Sequence, residues 1–97
     1  MCVFEEAEKL CPHAVGHYLG MDCHDTHTLA RSRPLQPGNV ITLEPGLYIP
    51  LTNECVPEEF RGIGIRIEDD VAITDSGCED LTHACPKTLT HIQQWIG

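Results

Sequence analysis

The chain has 97 residues, 41% hydrophobic and 22% charged, with fifteen acidic residues against six basic ones and a formal net charge of −9. That length holds one small domain or a piece of a larger one, with a thin interior of its own. No apolar run nears the roughly 20 residues of a membrane span, no basic-then-apolar leader is read at the start, and the acidic balance argues against nucleic acid or an anionic membrane as partner.

Cys2 to Leu10 (CVFEEAEKL) is built of helix formers and Pro12 stops it, which predicts the tail of a helix. Val15 to Met21 (VGHYLGM) reads as a strand entering a turn. Thr26 to Gly38 reads as a loop, punctuated by Arg33-Pro34 and Pro37-Gly38. Asn39 to Leu43 (NVITL) is a strand that Pro45-Gly46 breaks before a second one, Leu47 to Ile49. A polar loop, Pro50 to Arg61, follows. Gly62 to Glu68 (GIGIRIE) alternates with period two, so Ile63, Ile65 and Ile67 share one face while Gly64, Arg66 and Glu68 share the other. Val71 to Thr74 predicts a further strand, turning at Asp75-Ser76-Gly77. Pro86 opens a last helix, Lys87 to Trp95, with Leu89, Ile92 and Ile96 along one stripe. Helix, antiparallel strands, then helix is an α+β order, not a βαβ series.

Cysteines stand at 2, 11, 23, 55, 78 and 85, with no CxxC spacing. Without a secretion signal the reading is reduced thiols that mostly pack as small apolar residues, with Cys23 and Cys55 as packing or surface thiols, all outside the chemistry.

Three segments set a polar side chain on a strand that should otherwise be buried. In PHAVGHYLGMDCHD (12–25), His13 and His17 are four apart, on one face of a strand, and Gly16 and Gly20 keep the backbone slim enough for close approach. His24 and Asp25 follow the turn. In ITLEPGLY (41–48), Glu44 closes an apolar strand before a Pro-Gly turn. In GIGIRIEDD (62–70), Arg66 and Glu68 share a face. A carboxylate at the end of an apolar strand is costly to bury unless a cation or donor meets it. Two carboxylates and a histidine are ligand types for a divalent metal, oxygen-rich sites favouring manganese and mixed sites also taking zinc or cobalt. HExxH is absent, which excludes the helical zinc-peptidase route. Taken singly, each feature has an ordinary explanation: a core histidine, a solvated strand end, a surface ion pair between Arg66 and Glu68 contributing on the order of 0–1 kcal/mol. His27, His83 and His91 receive no role.

Together and in order, HAVGHYLGMDCHDT (13–26), LQPGNVITLEPGLYIP (35–50), FRGIGIRIEDDVAIT (60–74) and LTHACPKTLTHI (81–92) resemble the C-terminal part of the pita-bread metallopeptidase family. The likeness is greatest to its aminopeptidase P (Xaa-Pro aminopeptidase) branch of mitochondrial type. The resemblance implies a pita-bread fold and a partial catalytic domain over residues 1–97. It implies hydrolysis of the bond between an N-terminal residue and a following proline, with two manganese ions that acidify water and polarise the carbonyl. His17, Glu44 and Glu68 match metal ligands, Glu68 bridging and Glu44 also the base. His13 and His24 match histidines that bind substrate and steady the tetrahedral intermediate; Arg66 and Tyr48 match a supporting pair. The family also places two aspartate ligands upstream of the histidine motif, and Met1 stands sixteen residues before His17. The expectation is therefore a truncated product or isoform that is inactive or weak alone, its partner a proline-containing peptide. Prolidase, a non-catalytic interaction fragment that self-associates or pairs with a full-length subunit, and a mononuclear metal module completed by Asp25 or Asp69 remain alternatives. Localisation follows the resemblance to mitochondria, with the cytoplasm as alternative.

Overall fold

The computed structural model describes residues 8–97. Residues 8–10 are helical; the rest of the predicted Cys2–Leu10 helix lies outside the described residues. Five strands follow: β1 (Val40–Leu43), β2 (Gly46–Tyr48), β3 (Gly64–Arg66), β4 (Asp69–Thr74) and β5 (Gly77–Asp80). A 3₁₀ turn, Glu58–Phe60, interrupts the predicted polar loop, and a terminal helix spans Leu89–Ile96. That helix begins two residues later than its sequence predicts, because the Thr88 side chain accepts the His91 N–H as an N-cap.

β1, β4 and β5 form one antiparallel sheet in that order, and β2 pairs antiparallel with β3. Leu43 pairs with Asp69, and Gly46 with Arg66. These two ladders share a single register, so the chain forms one long ribbon with a short break. Carried across the break, the register sets Glu44 opposite Glu68 and Pro45 opposite Ile67. Pro45 has no N–H to give, which costs the ladder one bond. Its carbonyl still accepts the Ile67 N–H at 3.2 Å.

On the other side of β1 lies the predicted Val15–Met21 strand, and here the structure corrects the sequence reading. The segment runs alongside β1: Leu19 N–H donates to Val40 O (3.0 Å), Thr42 N–H to His17 O (2.9 Å) and Glu44 N–H to Val15 O (2.6 Å). Only Tyr18 forms a regular bridge, to Ile41. The reason is local: His17 N–H donates to the Thr42 hydroxyl at 3.1 Å instead of to a backbone carbonyl. Gly16 lets the two backbones approach, since a Cβ there would stand 2.1 Å from Thr42 O.

Burial does not follow the apolar residues. On β1 the polar Thr42 and Glu44 are buried (2% and 8% exposed), while Leu43 between them is 44% exposed. Ile63, Ile65 and Ile67 are all exposed, and Val71 is the one buried hydrophobic residue among the described residues. The described thiols are free: Cys23 and Cys55 are exposed, within their expectation as packing or surface thiols, while Cys78 and Cys85, expected to pack, are exposed as well and Cys11 is half-buried.

Candidate metal centre

Thr42, two residues before Glu44, lies on the same face of the strand and organises it. Its hydroxyl accepts the His17 N–H and donates to Glu44 Oε1 at 2.9 Å. Glu44 Oε1 also faces His17 Nε2 at 3.1 Å, and Glu44 Oε2 accepts from Arg66 Nη1 at 3.3 Å. Burying this carboxylate is thus offset by a hydroxyl donor, a guanidinium and an imidazole.

The tautomers follow from the network. His17 Nδ1 lies 2.9 Å from Tyr18 O and carries a hydrogen, which leaves Nε2 to face Glu44 Oε1 at 3.1 Å. Either a hydrogen on Nε2, which pairs with the carboxylate, or a cation bound between the two groups satisfies that contact. This donor set, a buried carboxylate with an imidazole whose other nitrogen is fixed by a carbonyl, fits a divalent metal. A second chain of bonds runs outward. Arg66 can only donate, and its Nε does so to Tyr48 OH at 2.7 Å. The Tyr48 hydroxyl hydrogen is then free for His13 Nε2 at 3.2 Å, and His13 Nδ1–H meets Ala14 O at 2.8 Å. The hydrogen bond to Tyr48, followed by the charges of Tyr48, Glu44 and Glu68, holds the Arg66 pKa above its ordinary value.

These side chains border an open cavity of about 880 Å³ that His13, His17, His24, Asp25, Glu44 and Arg66 line. His24 meets the His17 ring edge to face, centroids 4.4 Å apart. Of the residues singled out in the sequence, the structure therefore brings together His13, His17, His24, Glu44, Tyr48 and Arg66. Glu68 stands opposite Glu44 in register, yet it is exposed and lines a smaller cleft with Arg66, Pro86, Lys87 and Ile92. Beside it, Lys87 Nζ pairs with Asp69 Oδ1 at 2.6 Å, and the Thr82 hydroxyl donates to the same oxygen at 2.7 Å. These bonds lower the Asp69 pKa, the lysine contributing most, and the bond to Asp69 raises that of Lys87. Asp69, considered in the sequence as a ligand completing a mononuclear site, is engaged by Lys87 and Thr82 instead; Thr42, Thr82 and Lys87 carry no role in the sequence reading. For Thr42 the signal was available, since strand alternation puts it beside Glu44.

The antiparallel ribbon thus seats a buried carboxylate against an imidazole and a guanidinium at the edge of an open cavity. Residues 3–75 match metallopeptidase family M24, and the chain belongs to that family. It is 57% identical over 91 residues to Xaa-Pro aminopeptidase 3 of Homo sapiens, covering 94% of this chain and 18% of that protein. Against the mitochondrial intermediate cleaving peptidase 55 of Arabidopsis thaliana the identity is 59% over 85 residues, covering 88% and 17%. Among solved structures, aminopeptidase P from E. coli with the inhibitor Pro-Leu superposes with a TM-score of 0.83 at 46% identity, over 94% of this chain and 21% of that one. The chain thus has the fold of the corresponding portion of aminopeptidase P and spans about a fifth of the length of these relatives. No helix among the described residues is long and apolar enough to cross a membrane.

Proposed function

We propose that this chain carries part of the catalytic domain of a metal-dependent aminopeptidase that cleaves the bond between an N-terminal residue and a penultimate proline, with manganese as its ion and the mitochondrion as its location. The observation that carries the proposal is the buried Glu44 carboxylate, held by Thr42 and Arg66 and facing His17 Nε2 at the rim of the cavity. The relatives' names, Xaa-Pro aminopeptidase and mitochondrial intermediate cleaving peptidase, support the substrate class and the compartment.

In this reading His17, Glu44 and Glu68 would hold the ion, which would supply Lewis-acid polarisation of the peptide carbonyl and acidify water. Thr42 and Arg66 fix the plane of the Glu44 carboxylate, which takes the proton of the attacking water. His13 and His24 bind substrate and donate to the oxygen that gains charge as the carbonyl becomes tetrahedral. Tyr48 positions both Arg66 and His13 through its hydroxyl. Among the described residues Glu44 joins no group of three close metal-ligating side chains, so the 97 residues by themselves are proposed to turn over weakly or not at all.

The test pairs binding with cleavage. Mn²⁺ binding to the purified chain is measured by calorimetry, and an Xaa-Pro-Xaa tripeptide is incubated with the loaded protein. Expected are Mn²⁺ binding that His17→Asn and Glu44→Gln weaken at least about tenfold, and any cleavage confined to the Xaa–Pro bond and lost in Glu68→Gln. Mn²⁺ binding that both ligand variants leave unchanged, or cleavage at another bond, overturns the proposal.

A further inference from the structure

Beyond Leu19 the chain doubles back on itself. Gly20 N–H donates to Asp22 O, and Asp25 N–H donates to Tyr18 O, each at 3.2 Å, which closes a loop over residues 18–25. Gly20 lets the Asp25 carboxylate lie over the turn, since a Cβ there would stand 1.8 Å from Asp25 Oδ2. The loop returns Cys23 and His24 to His17, and one ligand atom from each of the three lies within 4.8 Å of the others. Cys23 and His24 are exposed, His17 half-buried.

We propose that His17, Cys23 and His24 form a sulfur-containing ligand set that takes Zn²⁺, distinct in chemistry from the oxygen-rich set at Glu44 and competing with it for His17. A zinc ion holds sulfur at about 2.3 Å and nitrogen at about 2.0–2.1 Å, so a tetrahedral shell sets one sulfur and two nitrogens roughly 3.3–3.6 Å apart. The three donors, within 4.8 Å of one another, need to close by at most about 1.5 Å to reach that spacing, and the exposed tip of a loop tied at both ends can supply it. Thiolate selects zinc over manganese, and zinc also stands above manganese in intrinsic affinity for mixed donors. As the sulfur–zinc bond forms, the thiol proton leaves to solvent. Three protein ligands leave the fourth position to water. Because His17 Nδ1 is committed to Tyr18 O, the nitrogen offered to zinc is the Nε2 that also faces Glu44. The two sets are therefore occupied one at a time. Only that competition rests on the metallopeptidase reading; the zinc set rests on its own three donors.

The test uses the metal-free chain with metal ions alone, without peptide, so its failure and that of the peptidase reading are separable. Co²⁺, a spectroscopic stand-in for zinc, should give a thiolate-to-cobalt charge-transfer band that Cys23→Ser abolishes and that Cys55→Ser and Cys78→Ser preserve. Zn²⁺ affinity measured by calorimetry should fall at least about tenfold in Cys23→Ser and in His24→Ala, while Cys23→Ser leaves Mn²⁺ affinity unchanged. Cys23 is exposed, so its serine variant keeps the fold, which circular dichroism checks. A cobalt band that survives Cys23→Ser, or zinc affinity that both variants leave intact, overturns the proposal.

Discussion

Replacing Gly16 with alanine sets a methyl group against the backbone of β1. The new Cβ would meet Thr42 O at 2.1 Å and Thr42 C at 3.1 Å, and both are backbone atoms that cannot swing aside. Relieving the first contact to an ordinary 3.4 Å takes a separation of roughly 1.3 Å. The bonds on either side, Glu44 N–H to Val15 O at 2.6 Å and Thr42 N–H to His17 O at 2.9 Å, cannot stretch that far and survive. Overpacking costs about 1–3 kcal/mol and each of the two lost backbone bonds about 0.5–1.5 kcal/mol, so the variant should lose about 2–6 kcal/mol. That is a large share of the roughly 5–15 kcal/mol that holds a native domain. The displaced segment carries His17, so Mn²⁺ affinity falls together with stability. Urea unfolding followed by circular dichroism reads the first effect, and calorimetric titration with Mn²⁺ reads the second. Val15→Ala, at a residue 53% exposed, is the control and should stay within about 0.5 kcal/mol of the parent. A Gly16→Ala protein with the parent's urea midpoint and Mn²⁺ affinity would refute the close-approach argument.

Thr42→Val keeps the shape of a fully buried side chain but leaves the His17 N–H and Glu44 Oε1 without their hydroxyl partner; it should cost about 1–3 kcal/mol in urea unfolding and weaken Mn²⁺ binding. Tyr48→Phe breaks the bonds to Arg66 Nε and His13 Nε2, and in an active form of the enzyme it should lower kcat with Mn²⁺ affinity preserved. The Asp69–Lys87 pair has a defined pH signature, read as the stability difference between the parent and Lys87→Met. Lys87 has a raised pKa in the fold, so its contribution is complete below the ordinary lysine value and disappears only as pH rises through the raised one. Asp69 has a lowered pKa, so on the acid side the contribution holds down to the ordinary carboxylate range and is lost as pH falls through the lowered value. A difference that shrinks between pH 6 and 9 would contradict the pairing.

Much of the ribbon was legible because strand alternation and Pro-Gly breaks are local signals. β1, β2 and β4 start and end within two residues of their sequence readings. β5 was missed: GCED has no apolar alternation, and its pairing depends on β4 and on the two-residue turn that Gly77 closes at φ +150°. The Val15–Met21 strand was half right, because its irregularity comes from a side chain, the Thr42 hydroxyl, that intercepts the His17 N–H. Among the site residues, His13, His17, His24, Glu44, Tyr48 and Arg66 sit in long, ordered motifs, and the structure gathers all six. Cys23 was read as a bystander because no CxxC flags it; its place beside His17 depends on the closure of the 18–25 loop, which no spacing rule encodes. On β3 the period-two pattern gives which residues share a face but not its burial, and all three isoleucines are exposed.

That scarcity of covered apolar side chains has a thermal consequence. The heat-capacity increment of unfolding scales with the apolar area a fold withdraws from water. With Val71 the one buried hydrophobic among the described residues, and Leu47, Ile63, Ile65, Leu89 and Trp95 already in solvent, there is little such area left to expose. The increment per residue then falls below the roughly 12–15 cal/mol/K of ordinary domains, and the stability curve flattens. Melting becomes broad and its midpoint shallow, governed by backbone ladders and by the Thr42–Glu44 network more than by an interior. A ligand that grips the native form therefore moves the midpoint of this chain further than it would move that of a well-filled domain.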